Sequence, residues 1–88
     1  MTKKEFIMFH RNNPEVYNEI VKLARQIKNR GYDHYGMQAI FEVIRFHTMM
    51  KTSGDHFKIN NNWRSYYSRL VMANNPDLEG FFRIRESA

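Results

Sequence analysis

Apolar residues recur at helical spacing in three separate stretches of this sequence, and this pattern limits the fold more than any other feature. Spacings of three and four residues place such side chains on one face of an α-helix, where they can pack against a core. The stretches contain Val16, Ile20, Leu23, Ala24 and Ile27; Met37, Ile40, Phe41, Ile44 and Thr48; and Trp63, Tyr66, Tyr67, Leu70 and Val71. The pattern predicts a mainly α-helical, small domain with three principal helices.

Start and stop signals place these helices along the chain. Asn13 and Pro14 suit the cap and the first position of a helix that runs toward Gly31, a natural stop. The second helix is predicted over about residues 35–49 and the third over about residues 61–74.

Two further segments flank the third helix. Before it, the sequence predicts either a short hairpin, in which Met49–Lys51 pairs with Phe57–Ile59, or an extended connection. After it, Asn75-Pro76-Asp77 predicts a short helical turn, and Phe81 and Phe82 are expected to return to the core. The order of elements loosely resembles helix-turn-helix or winged-helix domains.

The length and the absence of cysteine limit the organisation and the setting. The chain has 88 residues and no cysteine. One domain over residues 1–88 is expected, with residues 1–5 and 86–88 frayed, and no disulfide or thiolate metal site can form. The apolar patch from Phe6 to Phe9 is too short to span a membrane, so we expect a soluble, intracellular protein.

The charge balance favours an acidic partner. Fourteen Lys and Arg residues outnumber nine Asp and Glu residues, which gives a net charge of +5. Such an excess attracts polyanions, so nucleic acid is the expected partner, and DNA in particular.

The third helix carries the candidate binding surface. A step of 100° per residue separates its aromatic side from a polar and basic side. The predicted DNA-binding residues are Lys58, Asn60, Asn61, Arg64, Ser65, Ser68 and Arg69, supported by Lys22, Arg25 and Lys28 on the first predicted helix. A plainer interpretation is that Asn61 or Asn62 caps the third helix and the arginines are solvated.

The aromatic residues have two interpretations. Trp63, Tyr66 and Tyr67 would suit a stacking platform for single-stranded nucleic acid, but their helical spacing favours the core. The same holds for Phe6, Phe9, Phe41, Phe81 and Phe82.

No pattern in the chain indicates catalysis, a metal site or a cofactor. His10, His34, His47 and His56 lack the spacing of metal ligands, and no phosphate-binding glycine loop or nucleophile motif is present. The sequence therefore predicts a protein that is not an enzyme and has no small-molecule substrate.

Several short motifs resemble a known family. They are Phe9-His10-x-x-Asn13-Pro14, Phe57-Lys58-Ile59-Asn60-Asn61-Asn62, Tyr67-x-Arg69 and Phe81-Phe82-x-x-Arg85. Together they look like a family of short uncharacterised proteins found in phages, prophages and bacteria, and they extend over nearly the whole chain. The resemblance implies a mobile-element origin, and with it a cytoplasmic location in a bacterial host, and it implies no catalytic residue.

Two functions fit these observations. The first is a non-enzymatic DNA-binding module of phage or prophage type. The alternative is a protein-interaction or host-modulating module, possibly homodimeric, with the aromatic-rich ends Phe6–Phe9 and Phe81–Arg85 at its interface.

Overall fold

The computed structural model describes residues 3–51 and 59–84. The chain forms α1 (Lys3–Asn12), α2 (Pro14–Asn29), α3 (Met37–Lys51) and α4 (Arg64–Asn74), with short 3-10 helices at Asn61–Trp63 and Pro76–Leu78. No residue in the two described ranges belongs to a β-strand. The prediction of a mainly helical small domain is confirmed.

Helix α2 packs against the other three α-helices. Its Val16, Ile20 and Ala24 are buried, as their spacing predicts. Pro14 occupies the first turn, where its missing N–H is not needed. Beyond the other end, Gly31 adopts a φ of +105° and donates its N–H to the Lys28 carbonyl at 2.9 Å. Glycine adopts this left-handed conformation without strain, so it ends the helix.

Helix α1 is an addition to the three predicted helices. Residues 3–5, which we expected to be frayed, form its first turn. Phe6 is buried and packs its ring edge-on against Tyr67, with 4.8 Å between ring centroids. Asn13 does not cap α2 with its side chain; its amide donates to the Phe9 carbonyl at 3.0 Å. Because α1 ends one residue earlier, the asparagine satisfies a carbonyl at the C-terminus of α1 instead.

The prediction of a hairpin before α4 is wrong, because the residues of its first strand are helical. Met49–Lys51 forms the end of α3, since the helical pattern continues past the predicted boundary. Phe57 and Lys58 lie outside the described residues. Asn60 is extended, with φ −79° and ψ 128°, which agrees at that residue with the alternative of an extended connection.

The aromatic residues of α4 and of the C-terminal segment belong to the core. Trp63 and Tyr67 are buried, so the interpretation as core residues is confirmed over that of a stacking platform. Gly80, at φ +76°, turns the chain so that Phe81 and Phe82 are also buried. Within the predicted interface segments Phe6–Phe9 and Phe81–Arg85, the rings of Phe6, Phe81 and Phe82 are buried in the core, whereas Ile7 and Met8 are exposed.

Candidate nucleic-acid interface

Five polar residues join α3 to the beginning of α4 in a closed ring of hydrogen bonds, here called the α3–α4 ring. Arg64 donates from Nη1 to Gln38 Oε1 at 2.8 Å and from Nε to the Asn61 carbonyl at 2.9 Å. Arg45 donates to Asn61 Oδ1 and to Glu42 Oε1, both at 2.5 Å. Gln38 Nε2 donates to the same Glu42 oxygen at 2.8 Å, which closes the ring.

The two arginines of this ring differ in their charge compensation. Arg45 pairs with Glu42, also donates to the Ile59 carbonyl at 2.6 Å, and lies 5.8 Å from the centre of the Phe41 ring. Among the residues that the structure describes, Arg64 contacts the neutral oxygens of Gln38 and Asn61 and no carboxylate. Its guanidinium is therefore held in place while its positive charge stays available.

A cleft of about 440 Å³ opens beside the ring, here called the α3–α4 cleft. Its lining residues are Gly36, Met37, Gln38, Asn61, Asn62, Arg64, Ser65, Ser68, Arg83 and Ile84. The charged members are Arg64 and Arg83, both exposed, and none of the described residues that line the cleft is a carboxylate. Uncompensated guanidinium groups of this kind suit phosphate or another anion.

The structure brings some of the predicted site residues together at this cleft. Asn61, Arg64 and Ser65 line it. Ser68 also lines it but is only 3% exposed, and its hydroxyl donates to the Arg64 carbonyl at 2.7 Å. Ser68 is therefore a packing residue within α4 and presents almost no surface to a ligand.

The remaining predicted residues near α4 lie outside the cleft lining. Asn60 accepts a hydrogen bond from the Asn62 N–H at 2.8 Å, so the asparagine that caps the 3-10 helix is Asn60 and not Asn61 or Asn62. Arg69 is exposed on α4 but is not among the lining residues. Lys58 lies outside the described residues.

The predicted supporting residues on α2 lie in a different region. Arg25 donates from Nε to Asp77 Oδ2 at 3.0 Å and from Nη2 to Asn75 Oδ1 at 2.9 Å. Lys28 donates to the Asp77 carbonyl. We call these contacts the Asp77 cluster; they join the second 3-10 helix to α2.

Lys22 and Arg25 line a second, shallower cleft of about 530 Å³, which shares no lining residue with the α3–α4 cleft. The α2 cations therefore do not extend the α4 surface as predicted.

Charge pairing in the Asp77 cluster shifts the pKa values of Asp77 and Arg25. The hydrogen bond from Arg25 holds the pKa of the Asp77 carboxyl below its ordinary value, and the guanidinium charge and Lys28 lower it further. The same hydrogen bond raises the pKa of Arg25. Arg25 and Asp77 thus neutralise each other, in contrast to Arg64.

Two contributors to the cleft were missed by sequence reasoning. Arg83 was assigned to the beginning of the tail, although burial of Phe81 and Phe82 just before it fixes its position. Those two aromatics were the available signal. Gln38 stands on a helix end without any distinguishing pattern, and only the three-dimensional structure shows that it orients Arg64.

A group of buried polar atoms lies within the aromatic core and not at a cleft. Among the described residues, His10 Nδ1, Trp63 Nε1 and the Tyr67 hydroxyl have no hydrogen-bond partner. Burial raises the pKa of Tyr67, and the charge of Glu15 adds to this rise. Tyr67 is therefore neutral at ordinary pH and is a core residue, not a candidate for acid–base chemistry.

Residues 3–51 and 59–84 contain neither a candidate metal-binding cluster nor a candidate membrane-spanning helix. These residues contain no group of three or more His, Cys, Asp or Glu side chains arranged to hold a metal ion. None of the described helices combines the length and the apolar character needed to cross a bilayer.

Comparison of the chain with protein-family models, with curated proteins and with solved structures finds no match.

Proposed function

We propose that this protein is a non-enzymatic DNA-binding module of phage or prophage type, with the α3–α4 cleft as its contact surface. The observation that carries the proposal is the pair Arg64 and Arg83 on a cleft that no carboxylate lines within residues 3–51 and 59–84. DNA presents a regular array of phosphates, and protein cations that neutralise them release bound counterions. The net charge of +5 adds a long-range attraction to the local one.

The α3–α4 ring supports the proposal through preorganisation. A solvated arginine must lose side-chain freedom when it binds a phosphate, which weakens binding. Arg64 is already oriented by Gln38 and by the Asn61 carbonyl, so less of that entropy is lost. The phage or prophage setting is supported by the motif resemblance described above.

The test is a fluorescence-anisotropy titration with labelled mixed-sequence DNA, double-stranded and single-stranded, at about 50 and about 200 mM salt. We expect micromolar binding at the lower salt and a steep loss at the higher one. Arg64→Ala combined with Arg83→Ala should weaken binding about tenfold or more and reduce the salt slope by about two. Helical circular dichroism should be unchanged, since both side chains are exposed.

A matched control separates local from overall charge. Arg11→Ala combined with Arg30→Ala removes two exposed arginines that do not line the cleft. Both double variants have the same net charge, so only the location of the lost charge differs. Equal weakening by the two would contradict the assignment to the cleft, and no binding by the wild type at low salt would refute the proposed function.

Protein interaction without nucleic-acid binding is the second candidate function, in a homodimer or with a host protein. It is favoured by exposed apolar side chains: Ile7 and Met8 on α1 are 45% and 59% exposed, and Val43 and Phe46 on α3 are 39% and 55% exposed. Phe46→Ser, which leaves the net charge unchanged, would abolish such an interaction in a pull-down or a sedimentation experiment. DNA binding should be unaffected by that substitution.

A further inference from the structure

We infer that the α3–α4 cleft binds the phosphate backbone of duplex DNA without reading the base sequence. The inference rests on the proposed function and adds the class of contact that the site makes. It follows from how the side chains that could read bases are already used within the fold.

The asparagines predicted to contact bases are engaged in intramolecular hydrogen bonds. A specific contact with adenine uses the amide oxygen and the amide nitrogen of Asn together. Asn60 Oδ1 accepts from the Asn62 N–H at 2.8 Å, and Asn61 Oδ1 accepts from Arg45 at 2.5 Å. To read a base, either asparagine would have to break the hydrogen bond that its amide oxygen accepts or share that oxygen with the base.

Arg64 is suited to a phosphate and poorly suited to guanine. Its Nε and Nη1 already donate to Asn61 and Gln38. A side-on bidentate contact with guanine uses Nε and Nη2, so it would require loss of the bond from Nε to Asn61. An end-on contact would have to use the second hydrogen of Nη1, whose direction is fixed by the bond to Gln38. A phosphate oxygen can be bound through Nη2 alone, with the positive charge adding strength.

The cleft also lacks a surface on which bases could stack. None of its lining residues is aromatic, and the neighbouring Trp63 and Tyr67 are 7% and 0% exposed. Single-stranded DNA would gain no stacking energy here, whereas duplex DNA offers a higher density of phosphates. Duplex DNA should therefore bind more tightly than single strands of the same length.

The experiment is a binding selection from a pool of duplexes with randomised sequence, followed by sequencing of the bound fraction. Anisotropy titrations with an AT-rich duplex, a GC-rich duplex and a single strand of equal length accompany it. We expect no enriched motif, duplex affinities within about threefold of each other, and weaker binding of the single strand. A sequence-specific site would instead lose about 1–3 kcal/mol per mismatched base pair.

The outcomes distinguish this inference from the proposed function. An enriched motif, or a preference above about tenfold for one duplex, would overturn the inference and leave DNA binding intact. Tighter binding of the single strand would also overturn it. Failure of every DNA to bind at low salt would remove the proposed function itself.

Asn62→Ala provides an internal control, because Asn62 lines the cleft and the structure shows no partner for its side chain within the described residues. If backbone contacts dominate, this variant should show the same flat selection as the wild type, whatever its overall affinity. Loss of a sequence preference in Asn62→Ala would identify Asn62 as a base-reading residue and contradict the inference.

Discussion

The Asp77 cluster and the α3–α4 cleft both contain arginine, but their cations have different partners. In the Asp77 cluster, Arg25 faces a carboxylate at 3.0 Å. In the cleft, Arg64 is held by neutral oxygens only. Positive charge that is paired inside the protein serves to fix the fold, whereas positive charge that is oriented but unpaired is available to a ligand. The number of basic residues alone does not separate these two uses.

The first prediction concerns the contribution of Leu78 to anchoring the segment that carries Asp77. Leu78 is fully buried in the second 3-10 helix, next to the exposed Asp77. Leu78→Ala should lower the free energy of unfolding by about 2–5 kcal/mol, because it leaves a cavity in the core. Chemical denaturation followed by circular dichroism measures this loss. A change below about 1 kcal/mol would mean that the polar contacts, and not Leu78, anchor this segment.

The second prediction makes the cleft resemble the Asp77 cluster by adding a carboxylate. Ser65→Asp places a negative charge among the lining residues, beside Arg64. We expect duplex affinity at low salt to fall about tenfold, since the new charge pairs with the arginines and repels phosphate. An acidic residue in the first turn of α4 also complements the helix dipole, so stability should not fall.

The neutral variant Ser65→Asn serves as the control for side-chain size at this position. It should bind DNA nearly as well as the wild type. Equal loss of affinity in both variants would indicate that the shape of the cleft matters more than its charge.

The third prediction converts the Asp77 cluster into a site with unpaired cations. Asp77→Asn removes the carboxylate that faces Arg25 and lies near Lys28. Duplex affinity at low salt should rise by about threefold, because an additional basic region becomes available to phosphates. The effect should disappear at higher salt. Unchanged binding at low salt would show that DNA does not reach this part of α2.

The fourth prediction, with the smallest expected effect, concerns the pH dependence of stability. In the folded protein, the pKa of Asp77 lies below its ordinary value of 3.8, mainly because of the hydrogen bond from Arg25. Its contribution to stability is therefore fully present above about pH 3.8 and is lost as the pH falls through the lower folded pKa. The pair is about half exposed, so the contribution is small.

The pH prediction is measured as the difference in melting temperature between the wild type and Asp77→Asn. This difference should be constant near neutral pH and shrink on acidification, when Asp77 becomes protonated. A difference that grows on acidification would contradict the assigned direction of the pKa change.

The sequence predicted the α2, α3 and α4 helices well because each buries a regular apolar stripe. Helix α1 was not predicted because Phe6 is its one buried residue, and a single buried position gives no periodic pattern in the sequence. The hairpin was wrong because helical continuation through Met49–Lys51 was stronger than the nearby turn residues.

The site was predictable in part. Residue types and helical spacing placed Asn61, Arg64 and Ser65 on one face of the chain. They could not show that Arg25 meets Asp77, 52 residues away in the sequence, or that Arg83 joins Arg64. Pairing between distant charges depends on tertiary contacts, so the division between structural and available arginines became visible only in the fold.

Trp63 gives this molecule an optical reporter of its own. It is the single tryptophan of the chain, it packs against Phe9 of α1 with 4.6 Å between ring centroids, and it shares a 3-10 helix with the cleft residues Asn61 and Asn62. Its emission should therefore be blue-shifted in the native protein and move to longer wavelength when α1 detaches. Unlabelled protein can thus reveal whether a variant that fails to bind DNA has kept its fold.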